Sequence, residues 1–253
     1  MRVAVFSDVH GNSIALEAVL ADVERLGGVD AYWFVGDAVA LGSDPVGTIE
    51  RLERLPGFVA IRGNTDREVT GDQPDVEAEI LDLAANDPAR ARRALAMRRN
   101  FDWTRGAITA AGRLEWLDGL QVEARVTLPD GTRVLLVHAA PGTDDGPGIR
   151  DEQSDEELGR TLAGADAELV IVGHTHKPLD RTAAGVRAWN LGSVSLPFTA
   201  EKQAMWTLLE AGERGYRLQR QFARYDAQEV LEQLAAIDPP AAFVLREALA
   251  EGG

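Results

Sequence analysis

Apolar positions near the start of the chain follow two rhythms. The run "RVAVFS" (Arg2–Ser7) is continuous, β-branched and aromatic, and of strand length. A polar loop, "DVHGN", follows. From Ser13 to Leu26 the apolar residues Leu16, Val19, Leu20, Val23 and Leu26 then recur on one helical face. "AYWFVGD" (Ala31–Asp37) predicts a second strand ending in Gly-Asp. Asp44-Pro45 supplies an N-cap and a first-turn proline for a helix with Val46, Ile49, Leu52 and Leu55 inward. "GFVAIRGN" (Gly57–Asn64) predicts a third strand. This order of strands and helices predicts right-handed crossovers and a largely parallel sheet.

The rhythm changes in the middle. From about residue 68 to 120 there are no β-runs, and "PARARRALAMRRNFDW" is the clearest amphipathic stretch, so a helical insertion is expected. Strands return in "ARVTLPDGTRVLLVHAAPG", with Asp130-Gly131 as the turn of a hairpin. A short helix after Ser154 carries Asp155, Glu156 and Glu157 in its first turn, where the helix dipole favours them. Next come a strand, "ELVIVGH", a hairpin, "DRTAAGVRAWN", the stretch "LGSVSLPF", and a second hairpin, "AMWTLLEAGERGYRLQRQFA". Helices broken at Pro239-Pro240 are expected over about 226–250. The expectation is one α/β domain spanning 1–253, without internal repeats. The five tryptophans fall mostly in apolar strands or helices, which predicts core packing for them.

Composition narrows the function. A net charge of −15 leaves no dense basic face to track phosphates, which argues against a nucleic-acid partner. With no cysteine, neither a disulfide frame nor thiolate chemistry is available. No apolar stretch approaches the roughly 20 residues of a membrane span, and the chain starts directly on a strand without a leader-like segment. A soluble cytoplasmic protein without a membrane partner is the expectation, with self-association left open.

The chemistry lies at strand ends. Asp8 and His10 follow the first strand, Asp37 ends the second and Asn64 the third. His138 ends "VLLVH", and His174 and His176 follow "ELVIVG", so all 4 histidines lie just beyond strands. In an open α/β sheet these ends line one crevice. Taken singly, each residue is a turn, a cap or a surface loop side chain; converging together on one rim, they form a ligand set. Imidazole, carboxylate and amide oxygen suit Mn²⁺, Zn²⁺, Fe²⁺, Co²⁺ or Ni²⁺. Seven donors exceed the needs of one ion with an open position and suit two ions about 3.5–4 Å apart, bridged by an aspartate with both of its oxygens.

The blocks "DVH" (Asp8–His10), "GD" (Gly36–Asp37), "GNTD" (Gly63–Asp66), "VH" (Val137–His138) and "GHTH" (Gly173–His176) together resemble the calcineurin-like metallophosphoesterase superfamily, in particular its compact prokaryotic phosphodiesterase branch. The resemblance implies a four-layer αββα sandwich of two mixed sheets flanked by helices. It implies one ion held by Asp8, His10, Asp37 and His176, and a second by Asp37, Asn64, His138 and His174, with Asp37 as the bridge. "NLGSV" (Asn190–Val194) also resembles a family segment and is expected to be structural.

The activity implied is phosphoester hydrolysis of a small phosphoester or nucleotide, with manganese the first choice of metal. A metal-bridging hydroxide would attack phosphorus, with Asp37, Asn64 and His138 in the catalytic centre. Many relatives carry a histidine after the asparagine of the third block as general acid; here it is Thr65, whose hydroxyl is no acid near neutral pH. General acid catalysis is worth about 10²–10⁴-fold, so good leaving groups, as in activated diesters, should be favoured. A phosphoanhydride or dinucleoside polyphosphate hydrolase and a phosphomonoesterase are alternatives, and a metal-dependent protein scaffold is the non-enzymatic one. Asp66 is read as catalytic or as orienting its loop. Asn12 is read as a substrate contact or a helix cap. Thr65, Arg98 and Arg99 are candidate substrate contacts, the last two alternatively a solvated helix face.

Overall fold

The computed structural model describes residues 1–71, 77–196 and 202–250. Residues 72–76 of the expected insertion, and Pro197 and Phe198 of "LGSVSLPF", lie outside them. Each predicted strand–helix pair forms: β1 (Arg2–Phe6), α1 (Ser13–Arg25), β2 (Ala31–Val35), α2 (Pro45–Leu52) and β3 (Val59–Ile61). Asn12 caps α1, its Oδ1 accepting from the Ala15 amide at 3.1 Å. Asp44 caps α2 by accepting from Gly47 N, with Pro45 in the first turn.

The insertion is helical: α3 (Asn64–Thr70), α4 (Glu77–Asn86), α5 (Pro88–Ala110) and α6 (Leu114–Asp118). The second half supplies β4 (Glu123–Thr127), β5 (Arg133–Val137), α7 (Asp155–Leu162), β6 (Leu169–Val172), β7 (Leu179–Ala183) and β8 (Val186–Asn190). The hairpin β9 (Ala204–Gly212) with β10 (Gly215–Ala223), then α8 (Ala227–Ile237) and α9 (Ala242–Ala250), complete the described residues.

The strands form two five-stranded sheets, β10-β9-β1-β2-β3 and β4-β5-β6-β8-β7. Both are mixed, which corrects the largely parallel sheet expected from the strand–helix rhythm. β1, β2 and β3 run parallel, but β9 pairs antiparallel with β1, placing Val5 opposite Thr207. Local periodicity carries no record of that pairing, because its halves lie at opposite ends of the chain.

Alternation then builds the layers. Val3 and Val5 of β1 point inward with Trp33, Val35 and Ile61. Across the interface they meet Val134 and Leu136 of β5, Leu169 and Ile171 of β6, and Trp189. Ala4, Phe6 and Phe34 point outward, under Leu16, Val19 and Val23 of α1 and Ile49 and Leu52 of α2. On the other sheet Leu135, Val137, Val170 and Val172 face Leu158 and Leu162 of α7. Each such buried side chain contributes about 1.5–3 kcal/mol. This is the αββα sandwich that the resemblance implied. Because the central strands β1, β2, β5 and β6 are buried on both faces, their carboxyl ends are held beside one another, with that of β3 alongside β2. Among the described residues no helix is long and apolar enough to cross a membrane.

Candidate metal centre

The loops after β1 and β2 are stitched together through the backbone. Asp8 N donates to Gly36 O, His10 N to Asp37 O and Gly11 N to Ala38 O, at 2.9–3.0 Å. From behind, Ser195 N and Ser193 Oγ donate to Asp8 O, so "NLGSV" has the structural role expected of it. Asp8, His10, Asp37, His174 and His176 all take positive φ, between 50° and 66°. That conformation costs L-residues about 1–3 kcal/mol each and persists only where the surroundings dictate it. The motif glycines follow from close approach. A Cβ on Gly63 would lie 2.0 Å from Asp37 Oδ1, and one on Gly173 would lie 2.5 Å from Asp8 Oδ2.

Five of the seven predicted donors, Asp8, His10, Asp37, His138 and His176, are linked by distances of 3.0–3.9 Å, with His174 beside the His138 ring and Asn64 joined through His174. His176 Nε2 is 3.0 Å from Asp8 Oδ1 and 3.3 Å from His10 Nε2. Asp37 Oδ2 stands 3.7 Å from His10 Nε2 and 3.3 Å from His138 Nε2. The rings of His138 and His174 meet edge to face at 5.2 Å, and His174 Nδ1 lies 2.9 Å from Asn64 Oδ1. Two geometric groups able to hold an ion emerge, Asp8–His10–His176 and Asp8–Asp37–His138. The buried atoms Asp8 Oδ1 and His138 Nε2 meet no polar group outside the cluster, only its other carboxylates and imidazoles. These lone pairs converge on common points, as a cation requires, so the residues fit divalent metal ions.

The atoms turned away from the cluster are tied down. Ser7 Oγ donates to Asp8 Oδ2 at 2.6 Å, leaving Oδ1 free to face the histidines. Thr65 N donates to Asp37 Oδ1 at 2.9 Å, so Oδ2 alone is presented to both His10 and His138. His138 Nδ1 donates to Val35 O at 2.8 Å, fixing Nε2 toward the cluster. Ser7 was missed in the sequence, since a serine ending a strand carries no signal of its own.

Asp66 is wholly buried and accepts four backbone N–H groups, from Gly63, Asp37, Ala38 and Val39 at 2.9–3.2 Å. Of its two expected roles, the structure gives it loop orientation. Thr65 Oγ1 donates to Val39 O and its side chain is buried. Asn12 is buried as the α1 cap, with Nδ2 directed at Ser195 Oγ. Arg98 forms an i,i+4 pair with Asp102 at 3.4 Å, and Arg99 is exposed.

Electrostatics follow from burial and charge. Burial opposes ionisation of Asp37, yet His138 and His10 hold its carboxyl far below the usual carboxylate range. Burial likewise opposes the charge on His138, but Asp37 and Asp8 overcome it and push the imidazole up to about 10. Burial dominates at His10, which falls to about 4 despite Asp37. Burial and the neighbouring charge of Asp37 raise Asp66 to about 7 against the pull of its amides. In the metal-free protein the His138 proton therefore supplies charge that a cation would otherwise bring.

A two-sheet sandwich with aspartates and histidines at adjoining strand ends is the arrangement that the resemblance to metal-dependent phosphoesterases implied. The model of the calcineurin-like phosphoesterase superfamily domain matches residues 1–213, and the chain belongs to that superfamily. A metallophosphoesterase from Sphaerobacter thermophilus superposes with a TM-score of 0.76 at 25% identity, covering 100% of this chain and 99% of that one. A hypothetical protein from Pyrococcus horikoshii OT3 gives 0.79 at 20% identity, covering 96% and 97%. An uncharacterised protein of Methanocaldococcus jannaschii is 25% identical over 247 residues, 92% of this chain and 91% of its own.

Proposed function

We propose that this protein is a two-metal phosphoesterase, acting foremost as a phosphodiesterase on substrates with good leaving groups. The observation that carries this reading is Asp37 Oδ2, placed between His10 Nε2 and His138 Nε2 at 3.7 and 3.3 Å. Asp8, His10, Asp37 and His176 would hold one ion, and Asp37, Asn64, His138 and His174 the other, manganese being our choice for both. Such ions supply hydroxide at neutral pH and neutralise charge building on phosphate oxygens.

The chain's own residues do the positioning. Ser7 and the Thr65 amide orient the two aspartates, Val35 O orients His138, and Asp66 holds the backbone of residues 37–39. The Thr65 hydroxyl is engaged with Val39 O, so position 65 offers no acid for the leaving group. Aryl diesters, whose leaving groups depart unprotonated, should therefore outrun alkyl monoesters.

The test is hydrolysis of bis(p-nitrophenyl) phosphate after loading with Mn²⁺, beside p-nitrophenyl phosphate for the diester preference and beside an alkyl monoester for the leaving-group argument. The diester is expected to turn over faster, and Asp37→Asn to lower kcat by at least about 10³-fold through loss of a metal ligand. Bound metal with no turnover of any of these esters would overturn the reading of a general phosphodiesterase and leave an enzyme with a narrow natural substrate or a scaffold.

A further inference from the structure

Beside the metal centre lies a network that the proposed chemistry does not use. The loop after His138 contains Gly142, Gly146 and Gly148 and two prolines, and has little regular structure of its own. It is nevertheless anchored. Asp144, 6% exposed, accepts from Arg62 Nε at 2.8 Å and from Arg67 Nε at 3.1 Å. Asp145 accepts from Arg67 Nη2 at 2.8 Å through one oxygen and from Gly146 N at 2.7 Å through the other. The next carbonyl, Gly146 O, lies 2.8 Å from His174 Nε2. Gly148 presses on the same ring, for a Cβ there would come within 2.9 Å of His174 Cδ2.

We propose that Asp144 is a positioning residue for His174: clamped between Arg62 and Arg67, it fixes the loop whose Gly146 carbonyl takes the His174 Nε2 proton, and so aims Nδ1 at the second ion. This rests on the reading of His174 as a ligand. A carbonyl can only accept, so Nε2 carries a proton, and Nδ1 is the nitrogen left for an ion. Nδ1 faces Asn64 Oδ1 at 2.9 Å, so without an ion a proton on Nδ1 meets that oxygen, and with an ion both atoms can turn their lone pairs to it. The geometry is a closed circuit. Asn64 opens α3, Arg67 lies within α3, and Arg67 reaches the loop that holds His174. The clamp therefore sets the gap between two donors of the second ion. The side chains of His10 and His176 lie outside the circuit, and Asp8, which also accepts from the His174 amide at 3.3 Å, is held from its own side by Ser7 and residues 193–195.

The consequence is selective for one ion. Substituting outer partners of metal ligands typically costs about 10–100-fold in affinity. Asp144→Asn and Arg67→Lys should weaken the second Mn²⁺ by that factor and leave the first unchanged, as read by calorimetric titration and by electron paramagnetic resonance. Arg93→Ala, which removes an exposed pair with Glu247, should change neither. In the metal-free protein, imidazole ¹⁵N shifts should show His174 with Nε2 fully protonated, whatever Nδ1 carries, and a mixture of tautomers in Asp144→Asn. Unaltered affinities with an unaltered tautomer would overturn the proposal. So would equal loss of both ions together with a lower Tm, since that marks a merely structural residue. Wild-type protein that binds no Mn²⁺ would instead sink the metal reading, and the tautomer would still decide the clamp.

Discussion

Asp66 shows how firmly the residues able to hold metal are held from behind. Its carboxylate meets four N–H donors, so truncation leaves several buried donors unmet at about 1–3 kcal/mol each. Asp66→Asn should do similar damage, because its amide NH₂ would point at N–H groups. Both variants are expected to lose Mn²⁺ occupancy and to melt at lower temperature; retained occupancy would show that loop 37–39 keeps its shape unaided. Arg98 and Arg99 set up the opposite expectation. Arg98→Glu with Arg99→Glu should leave KM for the diester within about twofold, as exposed pairs are worth little, whereas a raised KM with kcat intact would make them substrate contacts. At this scale the ligand residues were legible in the sequence, since imidazoles and carboxylates just past apolar runs stand out. Ser7, Asp144 and the Gly146 carbonyl were not, because their roles depend on what a distant loop places opposite them.

Among the elements, α5 does more than cover the sheet. Asn100, wholly buried, accepts from Leu41 N at 2.8 Å, bracing the loop that begins at Asp37. Arg105 Nη1 donates to the carbonyls of Val69, Thr70 and Gly71 at the end of α3. Asn100→Ala should therefore cost about 1–3 kcal/mol and lower Tm by several degrees in a chain of this length. A thermal shift near zero would mean that water takes over the Leu41 amide. The existence of α5 was readable from its lack of β-runs, and its arginines suggested a role at substrate. What could not be read was which of its polar side chains turn inward, because that depends on packing against α2 and α3. The strands tell a similar story: their positions followed from apolar runs, while the partnership of β1 with β9 followed from nothing local.

Over the whole molecule, protons and metal compete for one site, and the sign can be worked out for the metal-free form. His138 rises from about 6.5 to about 10 on folding, so its stabilising contribution is complete below pH 6.5 and is lost as pH rises toward 10. Bound metal takes the proton's place and should abolish that slope. Calorimetric Tm in chelator is expected to fall between pH 7 and 9, and in Mn²⁺ to stay level over that window. A level Tm in chelator would show that His138 is neutral without metal. The antiparallel partnership of the first and ninth strands has a separate consequence during synthesis. Nearly two hundred residues separate them, so at about 5–20 residues per second the open edge of β1 waits roughly 10–40 s on the ribosome for its cover. A nascent chain halted before Ala204 should thus be held by chaperones or aggregate through that edge, while one released past Ala223 should not.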